Sequence, residues 1–163
     1  MNKFKSFLIL LISFILQTSI FAKIDILGAN LNIIIPATIA LSQILPNKTG
    51  RVGGLIVGLF EDFLFTSLIG VRALSYYLIG VLSSGEVIKI SKDKQSGVII
   101  SVIATVFNFL LVNGIYYVFG KSLTSISGYL GLELLVEAIL NSVIYLLYYE
   151  LIKKVMYIPT YRI

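Results

Sequence analysis

Four acidic side chains lie inside apolar stretches of the sequence, where charges are rare. Glu61 and Asp62 interrupt the run from Gly53 to Ser84, and Glu133 and Glu137 lie near the start of the last apolar segment. A charge at the centre of a bilayer costs about 2.5–3.5 kcal/mol on insertion scales, so acids in such segments usually have a function. The sequence therefore contains two candidate sites built on carboxylates.

Glu61 and Asp62 are adjacent, so about 100° of helical rotation separates their side chains and they face different neighbours. Arg72 follows in the same stretch and offers a cation. Three roles are open for these acids. In the first, the acid lies near the membrane surface and contacts water or Arg72. In the second, it contacts a basic group of a partner protein. In the third, it carries protons or cations in a transporter.

Glu133 and Glu137 lie on one face of a predicted helix, and Asn141 continues the same row. Like charges at this spacing repel each other, so in apolar surroundings one of the two acids is expected to hold a proton unless a cation lies between them. One interpretation is a pair of acids at the wet outer interface of the membrane. A second is a site for a basic residue of a partner. A third is the ligand site of a transporter subunit.

Small residues recur on one face of the segment that carries the first acids. Gly54 and Gly58, with Gly53 beside them, allow a second helix backbone to approach closely. That second helix belongs either to the same chain or to a partner. The candidate partner-interface residues are Gly54, Gly58, Glu61, Asp62, Arg72, Glu133, Glu137 and Asn141.

The composition limits the class of protein. The chain has 163 residues, of which 58% are hydrophobic and 13% charged. A soluble domain of this length cannot bury so much apolar surface, which predicts an integral membrane protein embedded in the lipid bilayer. The sequence contains no Cys and no His, which excludes thiol nucleophiles, imidazole bases and most zinc and haem sites. No catalytic residue, metal site or cofactor is predicted.

The apolar pattern predicts one polytopic, all-α membrane domain over residues 1–163. The approximate membrane spans are 4–22, 31–45, 52–69, 71–86, 98–119 and 129–152. Residues 52–82 are too long for one span of about 20 residues, and Gly70 is the predicted break between two short ones. Pro36 predicts a kink or an irregular start in the second span. A signal peptide is the alternative for the first.

The positions of the basic residues support six spans. With the N-terminus in the cytoplasm, ten Lys and Arg residues fall on the cytoplasmic side, and only Lys23, Arg72 and Lys121 fall outside. If residues 52–82 formed a single span, this bias would disappear. The positive-inside rule therefore predicts that both termini are cytoplasmic. The basic residues are spread over several loops, which argues against a nucleic-acid interface.

The stretch that carries the first two acids resembles rod shape-determining protein MreD. The matching residues are Gly54, Gly58, Leu59, Asp62, Phe65, Ser67, Gly70, Ala73, Leu74, Tyr77 and Gly80, followed by a basic connection. Thr66 replaces a common Gly, and Arg72 replaces a common Asn. Leu31 and Asn32 replace a frequent Pro-Asp pair at the second span.

This resemblance implies a non-enzymatic scaffold in the bacterial cytoplasmic membrane that acts in cell shape and peptidoglycan synthesis. The implied partner is an MreC-like protein. Through it, the chain would support a RodA-like glycosyltransferase and a class B penicillin-binding protein, with MreB filaments beneath. The resemblance also implies a fold similar to the S components of energy-coupling-factor transporters. The alternative function is therefore a small-molecule-binding transporter subunit.

Overall fold

Six α-helices make up most of the computed structural model, which describes residues 2–45, 48–87, 89, 91–120 and 131–156. The helices are α1 (Asn2–Ser19), α2 (Ile34–Ile44), α3 (Thr49–Phe65), α4 (Val71–Ser83), α5 (Lys94–Val118) and α6 (Leu132–Val155). One helix falls in each of the six predicted segments. The predicted start of the last span at residue 129, and Lys121 and Arg162 of the charge pattern, lie outside the described residues.

A short antiparallel hairpin between α1 and α2 was not predicted. A single 3-10 turn, Phe21–Lys23, leads into β1 (Asp25–Ile26) and β2 (Ala29–Asn30). Leu27 and Gly28 form the turn with positive φ angles of 55° and 83°, a conformation typical of two-residue hairpin loops. The hairpin lies in the short connection between the first two predicted spans, 4–22 and 31–45.

The helix α2 begins at Ile34, which places Pro36 in its first turn. A proline is tolerated there because the first backbone N–H groups of a helix have no partner within it. The irregular start predicted from Pro36 is therefore an ordinary helix start. The predicted break at Gly70 is present, since α3 ends at Phe65 and α4 begins at Val71.

The helix α2 lies at the centre of the bundle. Its residues from Ile34 to Gln43 are all buried, and it contacts each of the other five helices. At 11 residues it is about 16 Å long, which is short for a bilayer. Three helical segments, Lys3–Lys23, Lys94–Val118 and Leu132–Val155, are long and apolar enough to cross a membrane. The architecture is that of an all-α membrane protein.

Contacts between helix ends place the start of α1 beside the end of α6 and the start of α3 beside the end of α4. The Lys5 Nζ donates a hydrogen bond to the Val155 carbonyl at 2.7 Å, and Arg51 pairs with Glu86 at 2.8 Å. Both ends of the described chain therefore lie at one end of the bundle, here called the basic end. The hairpin lies at the other end, here called the hairpin end.

A row of three glycines joins α3 to its neighbours. A Cβ atom at Gly58 would lie 2.5 Å from the Ala73 Cα on α4, and one at Gly54 would lie 2.8 Å from the Thr38 Cγ2 on α2. Gly50, one turn earlier, lies against Ser42 of α2. The second helix that Gly54 and Gly58 admit thus belongs to the same chain. Gly50 continues the same four-residue spacing and was missed.

We predict that Gly58→Ala lowers the thermal stability of the detergent-purified protein. The added methyl group must push α4 away, and overpacking of this kind costs about 1–3 kcal/mol. The matched control is Gly114→Ala, because a Cβ at Gly114 meets no atom within 4 Å. Equal melting temperatures for the two variants would contradict the close contact.

Candidate functional site

Asp62 lies on α3, but its side chain stabilises the start of α4. Its Oδ2 accepts hydrogen bonds from the backbone N–H groups of Gly70 at 2.9 Å, Arg72 at 2.9 Å and Ala73 at 3.2 Å. Gly70, the N-cap residue, has a positive φ of 102° and no side chain to cap the helix itself. The buried carboxylate therefore satisfies N–H groups that α4 leaves unpaired, and its charge opposes the positive end of the helix dipole.

Glu61 belongs to a polar network at the hairpin end. Its Oε2 accepts a hydrogen bond from the Tyr76 hydroxyl at 2.7 Å and lies 3.6 Å from the Arg72 Nη1. The Tyr76 hydroxyl also accepts a bond from Asn32 Nδ2 at 2.8 Å. The network joins the start of α2 to α3 and α4. Of the three roles predicted for Glu61, the structure shows the contact with Arg72.

The two members of this ion pair differ in accessibility. The Glu61 side chain is 4% exposed, whereas the Arg72 side chain is 35% exposed. A basic group of a partner cannot reach Glu61 in this conformation. Arg72 links the buried carboxylate to the surface of the bundle.

The polar row predicted on α6 runs further than the sequence suggested. Asn141 is fully buried, and its Nδ2 donates to Thr105 Oγ1 of α5 at 3.0 Å. One turn on, the Tyr145 hydroxyl donates to Gln43 Oε1 of α2 at 2.6 Å. The row thus joins α6 to α5 and to the central helix. Tyr145 continues the four-residue spacing and is fully buried, whereas its place towards a span end favours a tyrosine that anchors the helix at the membrane surface.

Glu133 and Glu137 begin this row at the hairpin end. Glu137 is buried, whereas Glu133 is partly exposed and packs against Gly28 of the hairpin. The Glu133 Oε2 has no hydrogen-bond partner in the described part of the chain. Among the eight candidate interface residues, only Arg72 and Glu133 are partly exposed, and the other six are buried.

Two apolar grooves open sideways between helices. The α1/α3 groove has a volume of about 640 Å³, and its lining includes Leu10, Phe14, Gly53, Ile56 and Phe60, with Lys3 and Lys48 at the basic end. The α1/α6 groove has a volume of about 390 Å³, and its lining includes Ile12, Leu16, Ile33, Leu147 and Leu151. Neither groove is lined by Glu133, Glu137 or Asn141. Sequence reasoning missed both grooves.

The described residues contain no group of three or more Asp and Glu side chains placed to hold a metal ion. The six-helix bundle, with its lateral apolar grooves and its buried polar network, defines an all-α membrane protein. The family model of rod shape-determining protein MreD matches residues 1–155 of the chain. The chain belongs to this family, whose members determine cell shape, and the resemblance inferred from α3 and α4 is confirmed. No curated protein and no solved structure shows a significant match.

We predict that Asp62→Ala destabilises the protein by about 1–3 kcal/mol, because the variant leaves three N–H groups of α4 without an acceptor. Asp62→Asn keeps one acceptor oxygen and loses the charge, so its melting temperature should fall between those of the wild type and the alanine variant. Asp25→Ala is the control, since Asp25 accepts one N–H, from Gly28, in the exposed hairpin. A melting temperature of Asp62→Ala equal to that of Asp25→Ala would show that the cap contributes nothing.

We predict that Arg72→Gln destabilises the protein more in the presence of Glu61 than in a Glu61→Gln background. Removing the cation leaves a buried carboxylate without its countercharge, which is costly, whereas the amide of the double variant is neutral. The four proteins form a double-mutant cycle, and residues in direct contact typically show coupling energies of about 0.5–3 kcal/mol. Unfolding in denaturant measures each of them. Additive effects would mean that the pair is not coupled.

Proposed function

We propose that this protein is a non-enzymatic membrane scaffold of the bacterial cell-wall elongation machinery. It binds an MreC-like protein and, through that partner, supports a RodA-like glycosyltransferase and a class B penicillin-binding protein above MreB filaments. The observation that carries this proposal is the family match over residues 1–155. The role in cell shape comes from the family, and the individual partners are part of the proposal.

The proposed topology is a single six-span domain in the cytoplasmic membrane with both termini in the cytoplasm. Two observations support it. The distribution of basic residues follows the positive-inside rule for six spans. In addition, Lys5, Arg51 and Lys94 all make their contacts at the basic end of the bundle, which is the cytoplasmic end in this topology.

The α1/α6 groove is the proposed binding site for the membrane segment of the MreC-like partner. Its lining carries no charged side chain, which matches the uncharged centre of a single membrane-crossing helix. Its two hydroxyls, on Ser13 and Tyr148, already bond to each other at 2.5 Å. An apolar helix can therefore cover the groove and leave neither hydroxyl without a partner.

The predicted interface residues contribute to this proposal at the hairpin end. Phe21 and Ile33 of the groove lie next to the hairpin in sequence, and Glu133 packs against the hairpin. The Glu133 side chain is partly exposed, although its unpaired Oε2 atom is buried, so the exposed part of this side chain is the proposed contact for a basic residue just outside the partner's membrane segment. Arg72, which is partly exposed and contacts Glu61, offers a second point of contact on the α4 side. The six buried residues act by holding the helices in place.

The alternative is a transporter subunit like the S components of energy-coupling-factor transporters, because the MreD resemblance implies a fold similar to theirs. That function would need a polar cavity lined by Glu133, Glu137 and Asn141. Both described grooves are apolar and are lined by other residues. Asn141 instead bridges α6 to α5 through Thr105. These contacts favour the scaffold.

Cysteine crosslinking tests the proposed partner site, and the sequence contains no native Cys that would interfere. Leu147→Cys lies in the α1/α6 groove, and Ile103→Cys on α5 is the matched control. The two native side chains are 67% and 59% exposed, so both positions face the surrounding membrane. With an MreC-like partner that carries single cysteines along its membrane segment, we predict a disulfide with Leu147→Cys and none with Ile103→Cys. Crosslinking at Ile103 alone, or equally at both, would exclude this groove.

A further inference from the structure

The α1/α3 groove differs from the α1/α6 groove in length and in charge. It extends from Lys3 to Phe14 on α1, and from Lys48, just before α3, to Phe60 on α3. At 1.5 Å per residue, these stretches are about 16–18 Å long. The hydrocarbon core of a bilayer is about 30 Å thick, so the groove covers the depth of one leaflet.

Two aromatic rings lie at the far end of this groove. The centroids of the Phe14 and Phe60 rings lie 6.4 Å apart. Between the rings and the lysines, the absence of a side chain at Gly53 leaves space that the end of the Leu10 side chain enters. The groove thus has a charged end, an apolar wall and an aromatic end. A helix that crosses the whole membrane matches this shape poorly, whereas a molecule of one leaflet matches it.

Lys3 and Lys48 give the groove a charge that the described chain does not balance. The lining contains no Asp or Glu. Among the described residues, neither lysine forms an ion pair, whereas Arg51 pairs with Glu86 and Lys94 pairs with Glu150. Lys5, two residues after Lys3, donates to the Val155 carbonyl. The groove therefore presents two cations to any molecule that enters it.

We propose that the α1/α3 groove binds one anionic glycerophospholipid from the leaflet at the basic end of the bundle. Its acyl chains lie along the wall formed by Leu11, Val52 and Ile56. The head-group phosphate lies between the ammonium groups of Lys3 and Lys48. An anionic lipid matches both halves of the groove. Its negative charge lies at the depth of the lysines, and its apolar chains extend towards the aromatic rings. This site does not depend on the partner groove or on the scaffold function.

The test measures lipid binding to the full-length protein by native mass spectrometry. Protein purified in mild detergent is titrated separately with phosphatidylglycerol and with phosphatidylethanolamine. The wild type should bind phosphatidylglycerol preferentially, with one molecule held at low lipid concentration. A lysine near an anionic lipid contributes about 1 kcal/mol, so the variant Lys3→Gln/Lys48→Gln should bind phosphatidylglycerol about 10- to 30-fold more weakly.

The matched control is Lys153→Gln/Lys154→Gln. This variant loses the same charge at the same end of the bundle, but neither residue lines the groove. Its affinity for phosphatidylglycerol should equal that of the wild type. Equal losses in the two variants would indicate general charge attraction and would overturn the site. Equal binding of the two lipids by the wild type would also overturn it.

The apolar half of the groove is tested by Ile56→Trp. The native Ile56 side chain lines the groove and is 39% exposed, so the larger ring can fill the space without entering the helix core. Binding of phosphatidylglycerol should be lost while the melting temperature of the lipid-free protein is unchanged. Lipid binding equal to that of the wild type would exclude the acyl-chain wall.

The two proposals fail separately in these experiments. Crosslinking from Leu147→Cys to the partner should persist in the Ile56→Trp background, since Leu147 lies in the other groove. Capture of the partner's membrane segment by Val52→Cys, which lies in the α1/α3 groove, would overturn the lipid site. If Leu147→Cys alone forms no crosslink to the partner and still binds phosphatidylglycerol like the wild type, only the partner site is overturned.

Discussion

The close approach of α3 to α2 and α4 is the contact on which the bundle depends. Lipid chains are as apolar as leucine, so the hydrophobic effect does little to hold membrane helices together, and packing at small residues takes its place. Gly50, Gly54 and Gly58 provide this packing along the N-terminal half of the inner face of α3. It brings α3 against the short central helix and carries Asp62 to the start of α4. The burial of α2 on all sides follows from the same arrangement.

The acids in the apolar segments are satisfied largely within the protein. The N–H groups at the start of α4 have no partners within the helix, and the Asp62 carboxylate is buried away from water. The hydrogen bonds between them offset the free-energy cost of burying both groups. Glu61 is likewise paired with Tyr76 and Arg72. Their positions therefore reflect the architecture of the bundle, and neither acid has to bind an external ligand. Glu133 differs, because one of its oxygens has no partner in the described chain.

Much of this fold could be predicted from the sequence, because long apolar runs, Gly70 and the basic loops are local signals. The contact between Glu61 and Arg72 was among the predicted roles. The cap formed by Asp62 could not be predicted, since it depends on the chain turning back after Phe65. The grooves were also hidden, because a side chain that faces lipid and one that lines a groove are equally apolar. The hairpin was missed because its strands have only two residues each.

The helix α1 forms one wall of both grooves, and its two neighbours hold it differently. Towards α6 it makes polar contacts, with Ser13 bonded to Tyr148 and Lys5 bonded to the Val155 carbonyl. Towards α3 its contacts include Leu10 against Gly53 and the ring contact of Phe14. Hydrogen bonds fix direction and distance more strictly than apolar packing does. The seam with α3 is therefore the more adaptable of the two, which suits it to a fluid acyl chain, while the fixed seam with α6 suits a helix of defined shape.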